Sequence, residues 1–466
     1  MSNWTTYKLC EIGNIYTGKT PPSKISNAFS DNGVPFITPK DMDGRREIYS
    51  TERFLTLEGI QSVARYIMPK NSIAVSCIGS DMGKTIIIPC KAVTNQQINT
   101  IIVNEKFNHK YIYYILSTKQ NEFKSIASGS ATPILNKKYF GEYEVSIPNK
   151  DYQDWVVNIL DKLDQKIQLN TETNQTLENI AQAIFKSWFI DFDPVHTKAN
   201  ALANGDDIQT ANRKAMMTLS GKTDTELTEM AQQSPTEYAQ LHQTAQAFPS
   251  EFGENGLPLG WEMKPFGNLL DKTIGGDWGK EIPDEKHTEK VAIFRGTDLP
   301  KVYEGAINDV PIRYVENKKL QARRLQHGDI VIEVSGGSKN QPTGRSLLIT
   351  EKLLSQFEIP IVPASFCRLF RPQTVELGYL SSIHLQNIYK EGKTWEYQNQ
   401  STGISNFQTK IFLEKELVTI PPNEILEKFH NIIVSILDKR YSTENKLLQE
   451  IRDILLPKLV SGEIEV

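Results

Sequence analysis

The chain contains the same order of motifs twice, and this internal duplication constrains its fold more than any other feature. The first copy extends from Tyr7-Lys-Leu-Cys-Glu-Ile-Gly13 to Ile147-Pro148, and the second from Trp261-Glu-Met-Lys-Pro-Phe-Gly267 to Ile420-Pro421. Between these ends, each copy has an apolar strand pattern, a polar glycine-rich turn and a second apolar run. A repeat of this kind predicts two structurally similar modules.

A long helical pattern follows each copy. After Pro148, seam residues alternate at intervals of four and three, which is typical of a coiled coil. Polar Asn170 and Asn174 lie in the middle of this seam, where polar groups fix the register, and a shift of 274 residues aligns Glu444 with Asn170. Two independent core helices are the alternative. The predicted seam consists of Leu160, Leu163, Ile167, Asn170, Asn174 and Leu177 in the first helix, and of Leu437, Tyr441, Glu444, Leu448 and Ile451 in the second.

The glycine-rich turn of the first copy, which ends in Gly83-Lys84-Thr85, is similar to a phosphate-binding loop but fails two of its requirements. A P-loop has four residues between its first glycine and the Gly-Lys pair, and it opens a helix. Here Gly79 is only three spacers away, and the run after Lys84 is β-branched, which predicts a strand. The second copy of the turn ends in Arg345. We therefore predict a hairpin turn whose cation contacts a polyanion, with an ordinary surface turn as the alternative.

Composition places the chain among ordinary globular proteins, with 39% hydrophobic and 23% charged residues. The net charge of −4 argues against a uniformly basic nucleic-acid binder, yet residues 1–148 carry 17 Lys and Arg against 12 Asp and Glu. The sequence shows neither a leader pattern nor an apolar run of about 20 residues, so we expect a cytoplasmic protein without a membrane span. The four cysteines and seven histidines are scattered, and no metal site is predicted.

Taken together, these motifs resemble the specificity subunit of type I DNA restriction–modification systems. The resemblance rests on the duplicated blocks and on the helix entry, where Gln153 follows Ile147-Pro148. It rests also on Leu177-Glu-Asn-Ile-Ala-Gln-Ala-Ile-Phe-Lys-Ser-Trp-Phe-Ile-Asp-Phe192 and on Leu455-Leu-Pro-Lys-Leu-Val-Ser-Gly-Glu463. The second copy departs from this pattern, since Leu426 stands where the first has Gln153.

The resemblance implies an α+β fold with two pseudo-symmetric target recognition domains, mixed α/β and strand-rich. Two long helices forming an antiparallel coiled coil would separate them. The expected boundaries are residues 1–148 for the first recognition domain, 149–190 for the central helix, 191–256 for a linker or peripheral helical insert, 257–421 for the second recognition domain and 422–466 for the C-terminal long helix.

The resemblance also implies a function. Each domain would read one half of a bipartite target in double-stranded DNA, while the helices set the spacing and dock two methyltransferase subunits. Motor-nuclease restriction subunits would join the complex. S-adenosylmethionine, ATP and Mg²⁺ are expected on those partner subunits, and the chain itself would bind no cofactor and catalyse no reaction.

Candidate DNA contacts are the polar and basic side chains of the matched loops. Arginine and lysine reach guanine edges, asparagine and glutamine reach adenine, and each of them also binds phosphate. A solvated surface position is the alternative for every one. The candidates are Lys84, Lys339, Asn340, Gln341 and Arg345 in the paired turns, with Lys40 and Arg295 near the matching Asp41 and Asp298.

Two other functions remain open from the residues alone. A coiled-coil scaffold would explain the helices but would leave two large diverged blocks without a role. A Mg²⁺-dependent nuclease would use Asp284 together with Glu316 and Lys318, a loose carboxylate and lysine pattern that has no counterpart in the first copy.

Overall fold

The computed structural model describes residues 4–127, 134–303, 307, 309–336, 341–401, 404–440 and 444–464. It divides into two units. The first unit comprises Met1–Gln168 with Leu447–Val466, and the second comprises Leu169–Lys446. Each copy of the repeat therefore lies within one unit, and each unit also takes part of the helical segments that follow the copies.

Short strands dominate the first copy, because β-branched and aromatic residues recur between turn residues. Its strands are β1 (Thr5–Lys8), β2 (Gly13–Thr17), β3 (Phe29–Ser30), β4 (Val34–Ile37), β5 (Phe54–Leu55), β6 (Ile67–Met68), β7 (Ile73–Ser76), β8 (Thr85–Ile87), β9 (Ala92–Thr94), β10 (Ile98–Val103) and β11 (Glu144–Ile147). Its helices are α1 (Leu9–Ile12), α2 (Leu57–Ser62), α3 (His109–Ser117), α4 (Gln120–Ala127) and α5 (Lys137–Glu142).

A helical region joins the two copies. It consists of α6 (Lys150–Phe189), α7 (Asp193–Ala203), α8 (Ile208–Ser220), α9 (Asp224–Gln233) and α10 (Pro235–Ala247). The sequence left open whether residues 191–256 form a linker or a helical insert, and the structure shows helices there. Ala215, Met216, Leu227 and Ala245 form a small core of their own between α8, α9 and α10.

The second copy again consists mainly of short strands. Its strands are β12 (Glu262–Pro265), β13 (Leu270–Gly275), β14 (Glu289–Phe294), β15 (Ile312–Val315), β16 (Ile330–Glu333), β17 (Ser335–Gly336), β18 (Ser346–Leu348), β19 (Ile361–Pro363), β20 (Cys367–Pro372), β21 (Gln398–Ser401), β22 (Ile404–Phe407) and β23 (Leu417–Ile420). Its helices are α11 (Leu299–Tyr303), α12 (Asn317–Arg323), α13 (Glu351–Leu354), α14 (Val375–Lys390) and α15 (Thr409–Lys415), and the chain continues into α16 (Asn423–Arg440) and α17 (Glu444–Ser461).

The two copies share their sheet topology. A four-stranded antiparallel sheet has the order β2-β10-β7-β8 in the first copy and β13-β20-β16-β18 in the second, with equivalent strands in equivalent places. A second sheet contains one parallel pair in each copy, β4 with β9 and β14 with β19. Terminal strands close each copy as an antiparallel pair, β1 with β11 and β12 with β23. The predicted α+β fold with two similar modules is confirmed.

Helix α6 begins at a well-defined cap. The side chain of Asn149 accepts a hydrogen bond from the amide of Tyr152 at 3.0 Å, which satisfies one of the free N–H groups of the first turn. Gln153 is buried, donates to the carbonyl of Pro148 at 2.9 Å and accepts from the amide of Asn108 at 2.9 Å. This glutamine therefore ties the helix entry to the start of α3.

In the first unit, α6 packs antiparallel to α17. Tyr152, Val156 and Leu160 share one apolar core with Leu459. The Tyr152 hydroxyl donates to the carbonyl of Leu459 at 3.2 Å, and further along α6 an Asp164 oxygen lies 3.1 Å from the Arg452 guanidinium. Higher numbers on one helix meet lower numbers on the other, which establishes the antiparallel direction.

In the second unit, the end of α6 packs antiparallel to α16. The ring of Phe429 lies 4.8 Å from that of Phe189 and 6.0 Å from that of Trp188, between ring centroids. At the other end of this stretch, the side-chain amide of Asn170 donates to Glu444 at 2.9 Å and to Asn445 at 2.8 Å. The seam of α6 therefore packs against a second helical segment. At its polar centre, Asn170 is hydrogen bonded to Glu444, the residue that aligns with it in the repeat.

Most predicted seam residues are shielded, but Glu444 and Ile451 are exposed, and Glu444 still accepts a hydrogen bond from Asn170 at 2.9 Å. Leu160 and Leu437 are buried, and Leu448 is half-buried. Ile451, however, is 37% exposed, because α17 turns Arg452 rather than Ile451 toward Asp164 of α6. Four others in α6 are half-buried, namely Leu163, Ile167, Asn174 and Leu177. Tyr441 lies outside the described residues. Within the described residues, no helix has both the length and the apolar composition needed to cross a membrane.

A buried carboxylate stabilises the second copy. Glu416 is fully buried and accepts hydrogen bonds from His384 at 2.8 Å, from Lys393 at 2.9 Å and from the Tyr397 hydroxyl at 2.6 Å. Burial alone would raise the pKa of Glu416, but these three donors outweigh burial and bring its pKa to about 2. The charged carboxylate therefore joins the end of α15 to α14 and to the turn that follows it.

We expect Glu416→Gln to lower the free energy of unfolding by about 3 kcal/mol at pH 7, because a neutral amide loses the charge-assisted bonds. The folded pKa lies below the ordinary value of 4.5, so the carboxylate stabilises the fold fully above that pH. This stabilisation is lost as the pH falls toward 2. Urea unfolding of both proteins between pH 7 and pH 3 measures the difference. The difference in unfolding free energy between the parent and Glu416→Gln should become smaller in acid. The control Glu396→Gln, at an exposed position, should change the unfolding free energy little at any pH.

Candidate nucleic-acid interface

Three main-chain hydrogen bonds bring four loops of the first copy together. The amide of Lys19 donates to Thr94 at 2.8 Å, that of Asn95 to Ile37 at 3.0 Å, and that of Cys77 to Gln97 at 2.8 Å. These bonds join the loop after β2, the loop after β4, the β7–β8 turn and the β9–β10 loop. We name this surface the first edge, and it comprises residues 18–20, 38–41, 77–84 and 94–97.

The second copy makes the same three bonds at equivalent positions. The amide of Asp277 donates to Pro363 at 2.9 Å, that of Ala364 to Phe294 at 2.9 Å, and that of Val334 to Phe366 at 2.9 Å. We name the resulting surface the second edge. It comprises residues 276–278, 295–298, 334–336, 341–345 and 364–366. The same backbone framework is therefore present twice in the chain.

A glycine allows the first of these contacts in each copy. A Cβ atom on Gly18 would lie 2.2 Å from the carbonyl oxygens of Thr94 and Asn95. A Cβ atom on Gly276 would lie 2.0 Å from the carbonyl oxygen of Ala364. No side chain fits at either position, so glycine is required for the loops to approach each other.

The two glycine-rich turns are matched hairpins. In the first, the amide of Gly83 donates to Ser76 at 2.8 Å and that of Ser76 to Lys84 at 2.9 Å. In the second, Gly344 donates to Glu333 at 3.1 Å and Glu333 to Arg345 at 2.8 Å. Both turns lead into a strand, β8 or β18, so neither supplies the helix N-terminus on which a P-loop depends. The predicted hairpin, and the match of Lys84 with Arg345, are confirmed.

An aspartate closes the turn that contains Lys40 or Arg295. The carboxylate of Asp41 accepts from the Thr38 amide at 2.8 Å, and that of Asp298 accepts from the Arg295 amide at 3.1 Å. Arg295 therefore occupies the position of Thr38 rather than that of Lys40. Its guanidinium also binds the Asp298 carboxylate at 2.7 Å, which neutralises the charge within the turn.

The first edge carries exposed positive charge. Lys19 and Lys40 are both exposed, and neither forms an ion pair with any described residue. Lys84 lies 2.9 Å from Asp81, but both side chains are more than a third exposed, so this pair stabilises the fold very little. All three ammonium groups are available to an anionic partner. Lys19 was not among the predicted residues, although it follows the required Gly18 directly.

Arg345 is held inside the second edge. Its guanidinium makes two hydrogen bonds to Glu333, at 2.8 Å and 2.5 Å, and the Glu333 carboxylate is 2% exposed. The bond with Glu333 raises the pKa of Arg345. Glu333 also packs against Gly296 and Gly336, where a Cβ atom would lie 2.6 Å and 2.5 Å from its oxygen. In this structure Arg345 orders the loops, and its role as a DNA contact stays a prediction.

Of the three remaining predicted contacts, the structure describes only Gln341. Gln341 is exposed, and the carbonyl of the next residue, Pro342, accepts a hydrogen bond from the Tyr389 hydroxyl at 3.4 Å. Lys339 and Asn340 lie outside the described residues. The predicted contacts Lys84, Lys40, Gln341, Arg295 and Arg345 do converge on the two edges.

Amide side chains that the sequence reasoning missed lie beside Lys19. The Thr20 hydroxyl donates to the side chain of Gln96 at 2.6 Å, and the Asn95 side chain donates to that of Gln97 at 3.1 Å. These bonds order an exposed cluster of hydrogen-bonding groups on the β9–β10 loop. The signal for it in the sequence is the polar triplet 95–97 between two apolar strands.

Comparison with known proteins identifies the family. Residues 1–179 match the profile described as the type I restriction modification DNA specificity domain. The chain is 31% identical, over 100% of both proteins, to the type I restriction enzyme HindI specificity subunit of Haemophilus influenzae. It is 25% identical, over 100% of its own length and 94% of the relative, to the MjaIX specificity subunit of Methanocaldococcus jannaschii.

The chain belongs to the family of type I restriction enzyme specificity subunits. The predicted family is therefore confirmed. The crystal structure of a type I restriction–modification S subunit from M. genitalium agrees in fold, with a TM-score of 0.50 at 15% identity over 98% of this chain and 96% of that one. The specificity-subunit fold is thus present over the whole length of this chain.

The nuclease alternative is not favoured by the geometry of its residues. Asp284 lies 2.6 Å from Lys280 and 2.8 Å from the imidazole of His287, and Glu316 lies 3.7 Å from the other nitrogen of that ring. Hydrogen bonds from Lys280 and His287 lower the pKa of Asp284. These carboxylates are already occupied by cationic and hydrogen-bonding partners, and the relatives are named as specificity subunits rather than nucleases.

We expect Arg345→Ala to lower the free energy of unfolding by about 3 kcal/mol, because it leaves the Glu333 carboxylate buried without its partner. Lys84→Ala changes the equivalent position of the other copy but breaks only an exposed pair, so it should cost less than about 1 kcal/mol. Urea unfolding of the two variants and the parent measures both values. Equal losses would contradict the structural role assigned to Arg345.

Proposed function

We propose that this chain is the DNA-recognition subunit of a type I restriction–modification complex, with the first and second edges as its two reading surfaces. The main support is the repeated framework of four loops, which three equivalent main-chain bonds hold in each copy. A scaffold that is fixed twice but carries different side chains is suited to reading two unlike half-sites. The pure coiled-coil scaffold leaves this duplication without a purpose.

The chemistry of the first edge fits a DNA partner. Exposed Lys19 and Lys40 supply charge for phosphate oxygens, while Gln96 and Gln97 supply amides for base edges. Phosphate contacts hold the protein in register on the duplex, and base contacts select the sequence. Lys84, on the same edge, is proposed in the same role, and its exposed pair with Asp81 can be exchanged for a phosphate.

We propose that the helices set the separation of the two half-sites. Helix α6 contributes residues to both units, and it pairs with α17 in the first unit and with α16 in the second. In this proposal the recognition domains are residues 1–148 and 257–421, the spacing helices lie in residues 149–190 and 422–466, and residues 191–256 form the insert. S-adenosylmethionine, ATP and Mg²⁺ are proposed to be bound by the methyltransferase and motor-nuclease subunits.

A surface of α17 supports the proposed docking of a methyltransferase subunit. Leu447, Ile451 and Ile454 are 57%, 37% and 61% exposed. Their spacing of four and three residues places them along one face of the helix. An exposed apolar stripe of this kind is typical of a surface that a partner covers.

The function predicts that the first edge binds phosphate. We expect Lys19→Ala and Lys40→Ala together to weaken DNA binding by the assembled complex and to reduce the slope of log K against log salt by about 2, since each phosphate contact contributes about 0.9. Fluorescence anisotropy with a duplex carrying the motif methylated in cells measures the slope. Lys70→Ala is the matched control, because Lys70 is exposed before β7, at the opposite end of that strand from the edge. An unchanged slope in the double variant would rule out this interface.

The apolar stripe generates a separate prediction. We expect Ile454→Asp to abolish co-purification with the methyltransferase subunit, because the partner would bury the new carboxylate against apolar surface without water or a cation to compensate it. Gln449→Asp adds the same charge at an exposed position on another face of α17 and should leave the complex intact. Size-exclusion chromatography with light scattering measures both complexes. A complex that survives Ile454→Asp would place the docking surface elsewhere.

A further inference from the structure

The two edges present opposite chemistry at one equivalent position. In the first edge, the carbonyl of Gln97 accepts the amide of Cys77, and in the second, the carbonyl of Phe366 accepts the amide of Val334. Position 97 exposes an amide, whereas position 366 exposes a phenyl ring that is 66% accessible to solvent. The backbone is fixed in the same way at both positions, so only the side chain differs.

Among the described residues, the Phe366 ring belongs to none of the apolar core clusters and forms no ring pair. Its carbonyl accepts a second hydrogen bond, from Ser335 at 3.2 Å, which holds the loop without any contribution from the ring. The neighbouring Cys367 and Ala364 point into the core and are 0% and 3% exposed. A phenyl group that is 66% exposed on a hydrogen-bonded loop presents apolar surface that a partner can bury.

A second aromatic residue belongs to the same edge. Trp278 follows Asp277, whose amide is bonded to Pro363, and it is 38% exposed. The Arg313 guanidinium lies 4.8 Å from the centre of its ring. The equivalent position in the first edge is Thr20, which bonds Gln96. The second edge has therefore replaced polar, hydrogen-bonding groups with apolar surface at two matched positions.

We infer that Phe366 reads a thymine in the DNA half-site of the second edge, through contact of its ring with the thymine 5-methyl group. This inference rests on the proposed function. Thymine is the base that presents an apolar group in the major groove, and aromatic and aliphatic side chains recognise it by contact rather than by hydrogen bonds. The amide side chains of the first edge gain nothing from contact with a methyl group. They are suited instead to hydrogen bonds with the polar base edges of the other half-site.

The test removes the methyl group from the DNA and the ring from the protein. The assembled complex is titrated with duplexes in which each thymine of the second half-site, on either strand, is replaced in turn by deoxyuridine. The second half-site is the half of the motif that changes when residues 257–421 are exchanged for those of a relative. We expect one replacement to weaken binding about fourfold, the value for one buried methyl group.

Phe366→Ala should weaken binding to the thymine duplex by at least the same factor and should abolish the difference between thymine and deoxyuridine at that position. Leu57→Ala is the control, since Leu57 is 80% exposed but lies in the first copy on α2. The inference is overturned if the parent complex tolerates deoxyuridine at every position, if Phe366→Ala keeps the full difference, or if the half-site contains no thymine. A complex that binds no sequence in preference to another would instead overturn the proposed function.

Discussion

Helix α6 is the element on which both halves of the molecule depend, because each unit builds part of its apolar core upon it. Val156 and Leu160 belong to the core of the first unit, and Phe185 and Trp188 belong to that of the second. Most of the stability of an amphipathic helix in a protein comes from the apolar surface that it packs rather than from helix propensity. Polar Asn170, paired with Glu444 and Asn445, interrupts the apolar seam and penalises any shift in register.

The two edges, which we propose as reading surfaces, illustrate how one backbone framework can carry two different sets of side chains. Main-chain hydrogen bonds do not depend on side-chain identity, so the three bonds that hold each edge persist while the residues around them change. The exceptions are Gly18 and Gly276, where no side chain fits. An aspartate also closes one turn in each edge, Asp41 in the first and Asp298 in the second. Other positions differ between the edges, as the contrast between Gln97 and Phe366 shows.

The copies also differ in how they stabilise these loops. Ser76 of the first copy is replaced by Glu333 in the second, and Arg345 is then required to neutralise it. Glu416 forms a further buried charge cluster in the second copy. Removing one partner of such a cluster is far more damaging than replacing an exposed lysine. A matched position in a repeat is thus not evidence of a matched role, since Lys84 is open to solvent while Arg345 is enclosed.

The sequence by itself determined the duplication, the strand character of the run after Lys84, the long seam of α6 and the family, because periodicity and local propensity are properties of neighbouring residues. It also indicated that the glycine-rich turns belong to the candidate site, but it did not indicate the distant loops to which they are hydrogen bonded. Only the tertiary structure showed that Lys19, Gln96 and Phe366 belong to these edges, that Arg345 and Arg295 are engaged by buried carboxylates, and that Arg452 rather than Ile451 faces α6. These facts depend on which strands lie side by side and on how a helix is rotated about its axis, and distant contacts decide both.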